Sequence, residues 1–216
     1  MKKKHALILG ATGATGQELV KLLLENPNYS KVTIFVRREV ELFHKKLNIH
    51  IIDFSKLYEY KDLVNGDILF SALGTTLKDA GSKEKQYLVD YTYQFEFAKI
   101  ASENKVNSYS LVSSLGANEN SLFFYTKIKG KLEKTINQLD FKTIQIFQPP
   151  SLIRPPELIR SVERISVKLF QKISNFGIFK SFKPLPVDVL ASKMLKESLI
   201  TQTDRLTIYK PYDIFH

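Results

Sequence analysis

The stretch "LILGATGATGQELV", residues 7–20, spaces Gly10, Gly13 and Gly16 three apart, between an apolar run and the start of an amphipathic one. Consecutive apolar residues suit a strand buried on both faces. Apolar residues returning every three or four positions suit a helix, so the glycines mark a strand-to-helix turn. The spacing G-x-x-G-x-x-G is one step from the pattern G-x-G-x-x-G, and the physical demands are the same. One glycine takes the sharp exit from the strand, another lets backbone approach a pyrophosphate, and a third permits close helix–strand packing. A helix opening near Thr15 and Gly16 would aim unpaired N–H groups and its positive dipole end at those phosphates. A purely structural turn is the alternative reading of the same residues.

Short apolar runs recur at 5–10, 31–37, 48–52, 67–73, 108–114 and 142–148. Between them lie stretches with helical periodicity at 16–26, 56–66, 83–104 and 124–139. Regular strand–helix alternation with right-handed crossovers predicts an α/β fold, a Rossmann-type doubly wound parallel sheet with helices on both faces. After "QPPSLIRPPE" (148–157) the pattern changes, and "PLPVDVLASKMLKESLI" (184–200) reads as a final helix. Residues 1–216 are expected to form one NAD(P)-binding domain, with 150–186 as a substrate-side segment outside the carboxyl ends of the strands.

Composition narrows the class. The chain has 216 residues, enough for a sizeable core, and no cysteine, which excludes disulfide staples and thiolate metal sites and fits a cytoplasmic protein. The four histidines show no paired helical spacing, so no metal is expected. "MKKKHALILG" has a basic start, but its apolar run leads into a Gly/Thr-rich turn and not a cleavage site. No apolar run approaches the roughly 20 residues of a membrane span. The net charge of +10 is dispersed along the chain and reads as a lysine-rich solvated surface, with no specific nucleic-acid partner expected.

The second strand discriminates between dinucleotides. A carboxylate at its end binds a ribose 2′-hydroxyl, whereas arginine accommodates a 2′-phosphate. Here "TIFVRREV" ends in Arg37 and Arg38, whose guanidinium groups suit a phosphate in charge and fork geometry, so NADP(H) is expected. Asp53 and Phe54 follow the third strand, where they would meet the adenine; a cap and a core aromatic are the plainer roles. In "SALGTT" (71–76), Leu73 and Gly74 would let backbone run close past the cofactor.

"FYTKIKGKLE" (124–133) holds Tyr125 and Lys129, an i, i+4 pair on one helix face. An ammonium beside a phenol favours the phenolate and prepares it to exchange a proton with a carbonyl or alcohol oxygen. With ten tyrosines in the chain, about one such pairing is expected by chance, so context has to supply the weight. That context is "SLVSSLGA" (110–117), which ends the fifth strand with Ser113 and Ser114 just upstream. A hydroxyl there could bond the substrate oxygen; a turn or helix cap is the usual role of such a pair.

The sequence resembles the atypical branch of the short-chain dehydrogenase/reductase superfamily, and within it the Tat-interacting-protein-like NADPH-binding oxidoreductases. "GATGATGQELVKLLLEN", "SKVTIFVRR", "DFSKL", "SALGTT", "LVSSLGAN", "FFYTKIKGKLE" and "IFQPPSLI" stand in that group's order. The resemblance implies Gly10, Thr12, Gly13, Ala14, Thr15 and Gly16 around the pyrophosphate and Arg37 and Arg38 at the 2′-phosphate. It implies Tyr125 as proton donor, Lys129 on the nicotinamide ribose, and a serine polarising the carbonyl, with Ser114 favoured. Pro149 and Ser151, in the Pro149–Pro150–Ser151 turn, would fold over the nicotinamide. Three positions depart from relatives: Asp90 stands where many extended members carry asparagine, and Gln148 and Pro150 stand where relatives often read Arg-Pro-Gly. The expected function is NADPH-dependent reduction of a small carbonyl compound by a monomer or homodimer. The alternative is an NADP(H)-binding sensor acting on a protein partner.

Overall fold

A computed structural model describes residues 3–153 and 184–216. Most of the expected 150–186 segment therefore lies outside the described residues. The chain runs β1 (Lys4–Leu9), α1 (Ala14–Glu25), β2 (Tyr29–Val36), β3 (Leu47–Ile51), a 3₁₀ helix (Phe54–Leu63), β4 (Ile68–Ser71), α2 (Leu77–Ala80) and α3 (Lys83–Tyr87). A π-turn (Leu88–Thr92), α4 (Tyr93–Glu103), β5 (Ser108–Val112), α5 (Phe124–Ile136), β6 (Thr143–Phe147) and β7 (Leu152–Ile153) follow. After the undescribed stretch come β8 (Leu185–Pro186), α6 (Val187–Leu199), β9 (Leu206–Tyr209) and α7 (Pro211–Phe215).

Seven strands form one sheet in the order β3-β2-β1-β4-β5-β6-β9, every neighbouring pair parallel. The order reverses at β1, which lies between β2 and β4, and that switch point opens a crevice at the carboxyl ends of the strands. The period of two decides which residue faces which layer. Ala6 and Ile8 of β1 pack with α1 and α6, while Leu7 and Leu9 pack with α4 and α5. All four are fully buried, as the apolar run predicts for a strand covered on both faces.

The structure corrects three expectations of detail. The helical stretch at 56–66 is a 3₁₀ helix, and the single helix expected over 83–104 is divided by the π-turn into α3 and α4. The helix at 187–199 is not the final one, because β9 follows it, extending the sheet beside β6, and the short helix α7 comes after that. Among the described residues no helix is long and apolar enough to cross a membrane.

Candidate active site

The glycine loop is built by contact between backbones. Gly10 has φ +86, in the left-handed region, and a Cβ there would come within 2.5 Å of the Ala72 carbonyl carbon and the Leu73 nitrogen. The exit from β1 thus lies directly on the exit from β4. A Cβ on Gly16 would meet the Gly10 oxygen at 2.0 Å, so α1 starts against the loop that precedes it. Gly13, whose N–H donates to the Gly10 oxygen at 3.0 Å, caps α1 with backbone only. The helix has no side-chain cap and no acidic residue in its first turn. Its positive end therefore stays open to an anion, beside a cavity of about 470 Å3 lined by Gly13, Ala14 and Thr15. Thr12 is exposed and lines a different hollow, between α1 and the 40–44 loop.

The far wall of the same cavity carries Ser113, Tyr125 and Lys129. Gly130 sets this wall, because a Cβ there would lie 2.2–2.4 Å from the backbone of Asn118 and Glu119; only a glycine lets α5 come this close. Tyr125 is 40% exposed at the mouth, and one turn further Lys129 is only 2% exposed. The Lys129 ammonium lies 5.9 Å from the Tyr125 ring centroid and 3.3 Å from Oδ1 of Asp90, itself fully buried. The π-turn carries Asp90, and such single-turn insertions re-aim one side chain within an otherwise regular helix. The Thr75 N–H approaches both Asp90 oxygens, at 3.3 and 3.4 Å. Gly74 runs over the pair: a Cβ there would be 3.1 Å from Oδ1 of Asp90. Burial pulls the Lys129 ammonium toward its neutral form, but the carboxylate of Asp90, with Tyr125 and Glu133 adding to it, more than offsets that and leaves its pKa above the ordinary value.

Of the two serines, Ser113 lines the cavity and is buried, whereas Ser114 is partly exposed and its hydroxyl donates to the Leu115 carbonyl at 3.3 Å. The preference for Ser114 thus meets a structure that brings Ser113 to Tyr125 and Lys129 instead. The Ser113 hydroxyl donates to Glu133, and Gln148 Nε2 donates to the same carboxylate at 3.0 and 3.1 Å. Burial raises the Glu133 pKa, against the lowering effect of those two donors and of Lys129.

A second cavity of about 460 Å3, lined by Arg37, Phe54 and Lys85, shares Leu73, Gly74 and Thr75 with the first. The two make one groove across the switch point. Phe54 tilts against Tyr93 at 5.7 Å between centroids. Arg38 is exposed and not among the lining residues, and Oδ1 of Asp53 accepts from the Ser55 N–H (2.8 Å) and hydroxyl (2.7 Å), capping the 3₁₀ helix. Those hydrogen bonds hold the Asp53 pKa below the usual carboxylate range. Pro149 is buried and its oxygen accepts from Leu115, while the Ser151 oxygen accepts from Leu185; the neighbour that reaches the cavity is Leu152. An open helix end at the pyrophosphate position, an aromatic and a guanidinium at one end of the groove, and a Tyr/Lys pair at the other fit a dinucleotide.

The expected residues thus divide: Gly13, Ala14, Thr15, Arg37, Phe54, Leu73, Gly74, Ser113, Tyr125 and Lys129 line the groove, with Gly10 and Gly16 shaping its floor. Glu133 and the pairing of Asp90 with Lys129 went unread. Glu133 had a signal, since it lies one helical repeat past Lys129 in "YTKIKGKLE" (125–133).

Comparison with known proteins agrees with this geometry. A family described as NAD(P)H-binding matches residues 10–144. Protein HTATIP2 of Rattus norvegicus is 30% identical over 220 residues, covering 100% of this chain and 90% of its own. The mitochondrial protein FMP52 of Debaryomyces hansenii is 33% identical over 204 residues, covering 94% and 89%. Among solved structures, an oxidoreductase of the short-chain dehydrogenase/reductase family from Burkholderia thailandensis superposes with a TM-score of 0.69 at 15% identity, over 99% of this chain and 93% of that one. A UDP-N-acetylglucosamine 4-epimerase from Methanobrevibacter ruminantium M1 gives 0.70 at 15%, over 97% and 77%. With a parallel sheet reversing at β1, an uncapped helix at the switch point and these relatives along its whole length, the chain belongs to the NAD(P)H-binding family of atypical short-chain dehydrogenase/reductases, alongside HTATIP2 and FMP52.

Proposed function

We propose that the protein is an NADPH-dependent reductase of small carbonyl compounds. The observation that carries this reading is that Tyr125 and the buried Lys129 share one cavity with the open end of α1. When bound, a reduced nicotinamide dinucleotide supplies a hydride to the carbonyl carbon. The amides at the start of α1 hold the pyrophosphate, and Arg37 meets the 2′-phosphate at the other end of the groove. Tyr125, exposed at the mouth, hands its hydroxyl proton to the carbonyl oxygen as it becomes an alkoxide. The Lys129 ammonium, fixed by Asp90, stabilises the phenolate that remains. Cytoplasmic localisation belongs to this reading on the cysteine-free composition alone, although the FMP52 relatives carry the label mitochondrial.

Incubation with NADPH and a panel of aldehydes and ketones tests the reading. Tyr125→Phe is expected to cut turnover by roughly 10²-fold or more while NADPH affinity stays at the wild-type value. Tight NADPH binding without turnover on any carbonyl would replace it with the second reading, an NADP(H)-binding sensor for a protein partner. One observation favours that alternative: the Ser113 proton is directed to Glu133 and not into the cavity.

Cofactor choice has its own test. Arg37→Ala is expected to weaken NADPH binding by roughly 10- to 100-fold, the value of one charged hydrogen bond, and to leave NADH binding nearly unchanged. An equal loss for both dinucleotides would remove Arg37 from the 2′-phosphate.

A further inference from the structure

A serine hydroxyl has one proton to give and two lone pairs to offer. At Ser113 the proton is committed to Glu133, outside the cavity that Ser113 lines, and the Ser113 backbone N–H is committed to the Phe147 oxygen at 2.7 Å. The face that Ser113 turns to the cavity therefore presents acceptors only. A carbonyl oxygen is also an acceptor, and two acceptors make no hydrogen bond. An alcohol, the product of carbonyl reduction, can donate to Ser113.

We propose that Glu133 is a positioning residue that sets the direction of the Ser113 hydroxyl: ionised, it draws the Ser113 proton away from the cavity; protonated, it donates to Ser113 and turns that proton toward a bound carbonyl. The proposal rests on the reductase reading for its consequence. The proton balance is simple. One proton from solvent converts the Glu133 carboxylate to the acid, whose O–H then bonds the Ser113 oxygen, and the Ser113 O–H rotates into the cavity with no covalent bond broken.

The surroundings of Glu133 are suited to such a change. Lys129, one helical turn before it, is the cation that acts on the Glu133 carboxylate, and Lys129 is already paired with Asp90 of the π-turn and lies over the Tyr125 ring. From the end of β5 the carboxylate meets Ser113, and from the end of β6 it meets Gln148, a neutral amide where an arginine would have been a full counter-ion. With that cation shared and its hydrogen-bond partners neutral, burial raises the Glu133 pKa, so the acid form survives to higher pH than at the surface.

The test uses the full chain labelled with carbon-13 at the glutamate carboxyl, with the Glu133 signal assigned by its loss in Glu133→Gln. Its titration is expected to move to higher pH in Ser113→Ala, because a donor to the carboxylate is gone; an unmoved titration overturns the proposal. The functional arm follows kcat/KM for NADPH-dependent reduction of benzaldehyde across pH. Wild type is expected to lose at least tenfold as Glu133 ionises, and Glu133→Gln to lack that limb. The same limb persisting in Glu133→Gln also overturns it. If benzaldehyde and other carbonyls are not turned over at all, the reductase reading fails by itself, and the carbon-13 titration in Ser113→Ala still decides whether Glu133 holds the Ser113 proton.

Discussion

Asp90→Asn is expected to lower the unfolding free energy by about 3–5 kcal/mol, which in a chain of this size displaces the melting temperature by on the order of 10 °C. Asparagine keeps the shape, and its amide oxygen can still accept from the Thr75 N–H. What it removes is the charge opposite a lysine that is 2% exposed. The loss is large because desolvating an ammonium is costly and the attraction that offset it has gone. The companion variant Asp90→Asn/Lys129→Met separates this cause from lost packing, since methionine retains the apolar stem without the charge. It should regain at least half of what the single change loses; losses that simply add would show that the ion pair is not what holds the region together. The pH dependence has a definite sign. The Lys129 pKa is raised by folding, so the pair's contribution is complete below the ordinary lysine value of 10.5 and is lost only as pH climbs through the higher folded value. In Asp90→Asn the buried amine favours its neutral form, so the gap between variant and wild type narrows as the solution becomes alkaline.

That the decisive ion pair lay on a π-turn explains why it escaped the sequence while so much else did not. Strand–helix alternation and the run "LILG" at 7–10 prescribe a doubly covered parallel strand, and Leu7 and Ile8 are buried on opposite faces of the sheet as the period of two requires. Tyr125, Lys129 and the glycine loop are local patterns on single elements, and local patterns are legible. An inserted residue in a helix is not, because no residue type demands it; the apolar spacing of 83–104 reads the same with or without the extra residue at 88–92. That Ser113 and not Ser114 lines the cavity was illegible for a related reason. Which of two adjacent residues beyond a strand faces a cavity depends on where the alternation ends, and the Ser113 N–H bond to Phe147 extends the β5–β6 ladder by one residue. Asp53 carries the plainer of its two expected roles in its local sequence: the serine two positions on bonds its Oδ1 and makes it a cap. The edge strand β9 was missed because "RLTIY" (205–209) is short and half polar, and its pairing with β6 is a tertiary fact.

The glycine loop supplies the sharpest separation of fold from function, because Gly13 and Gly16 differ in what a methyl group would meet. At Gly16 the added carbon would lie 2.0 Å from the Gly10 oxygen and 2.9 Å from the Ala11 Cα, both backbone atoms with no rotamer to yield. Gly16→Ala must push α1 off the loop and is expected to cost at least the 1–3 kcal/mol or so of ordinary overpacking, with dinucleotide affinity falling along with stability. At Gly13 the nearest atom is the Gly10 oxygen at 3.4 Å, and the backbone sits at φ −80, ψ 165, which any residue adopts. Gly13→Ala should therefore melt at or slightly above the wild-type temperature, since alanine removes about 0.4–1 kcal/mol of unfolded-chain entropy at a compatible site. Yet Gly13 lines the cavity at the open end of α1, where a methyl group holds a pyrophosphate away from the helix amides. NADPH affinity, read by the fluorescence of the reduced nicotinamide, is expected to drop by about tenfold or more, roughly the 1.4 kcal/mol of one weakened anion contact. A Gly13→Ala protein that is stable and binds NADPH as tightly as wild type would mean that the loop is only a turn; a stable protein that has lost its dinucleotide would mean that these glycines are spaced to hold one.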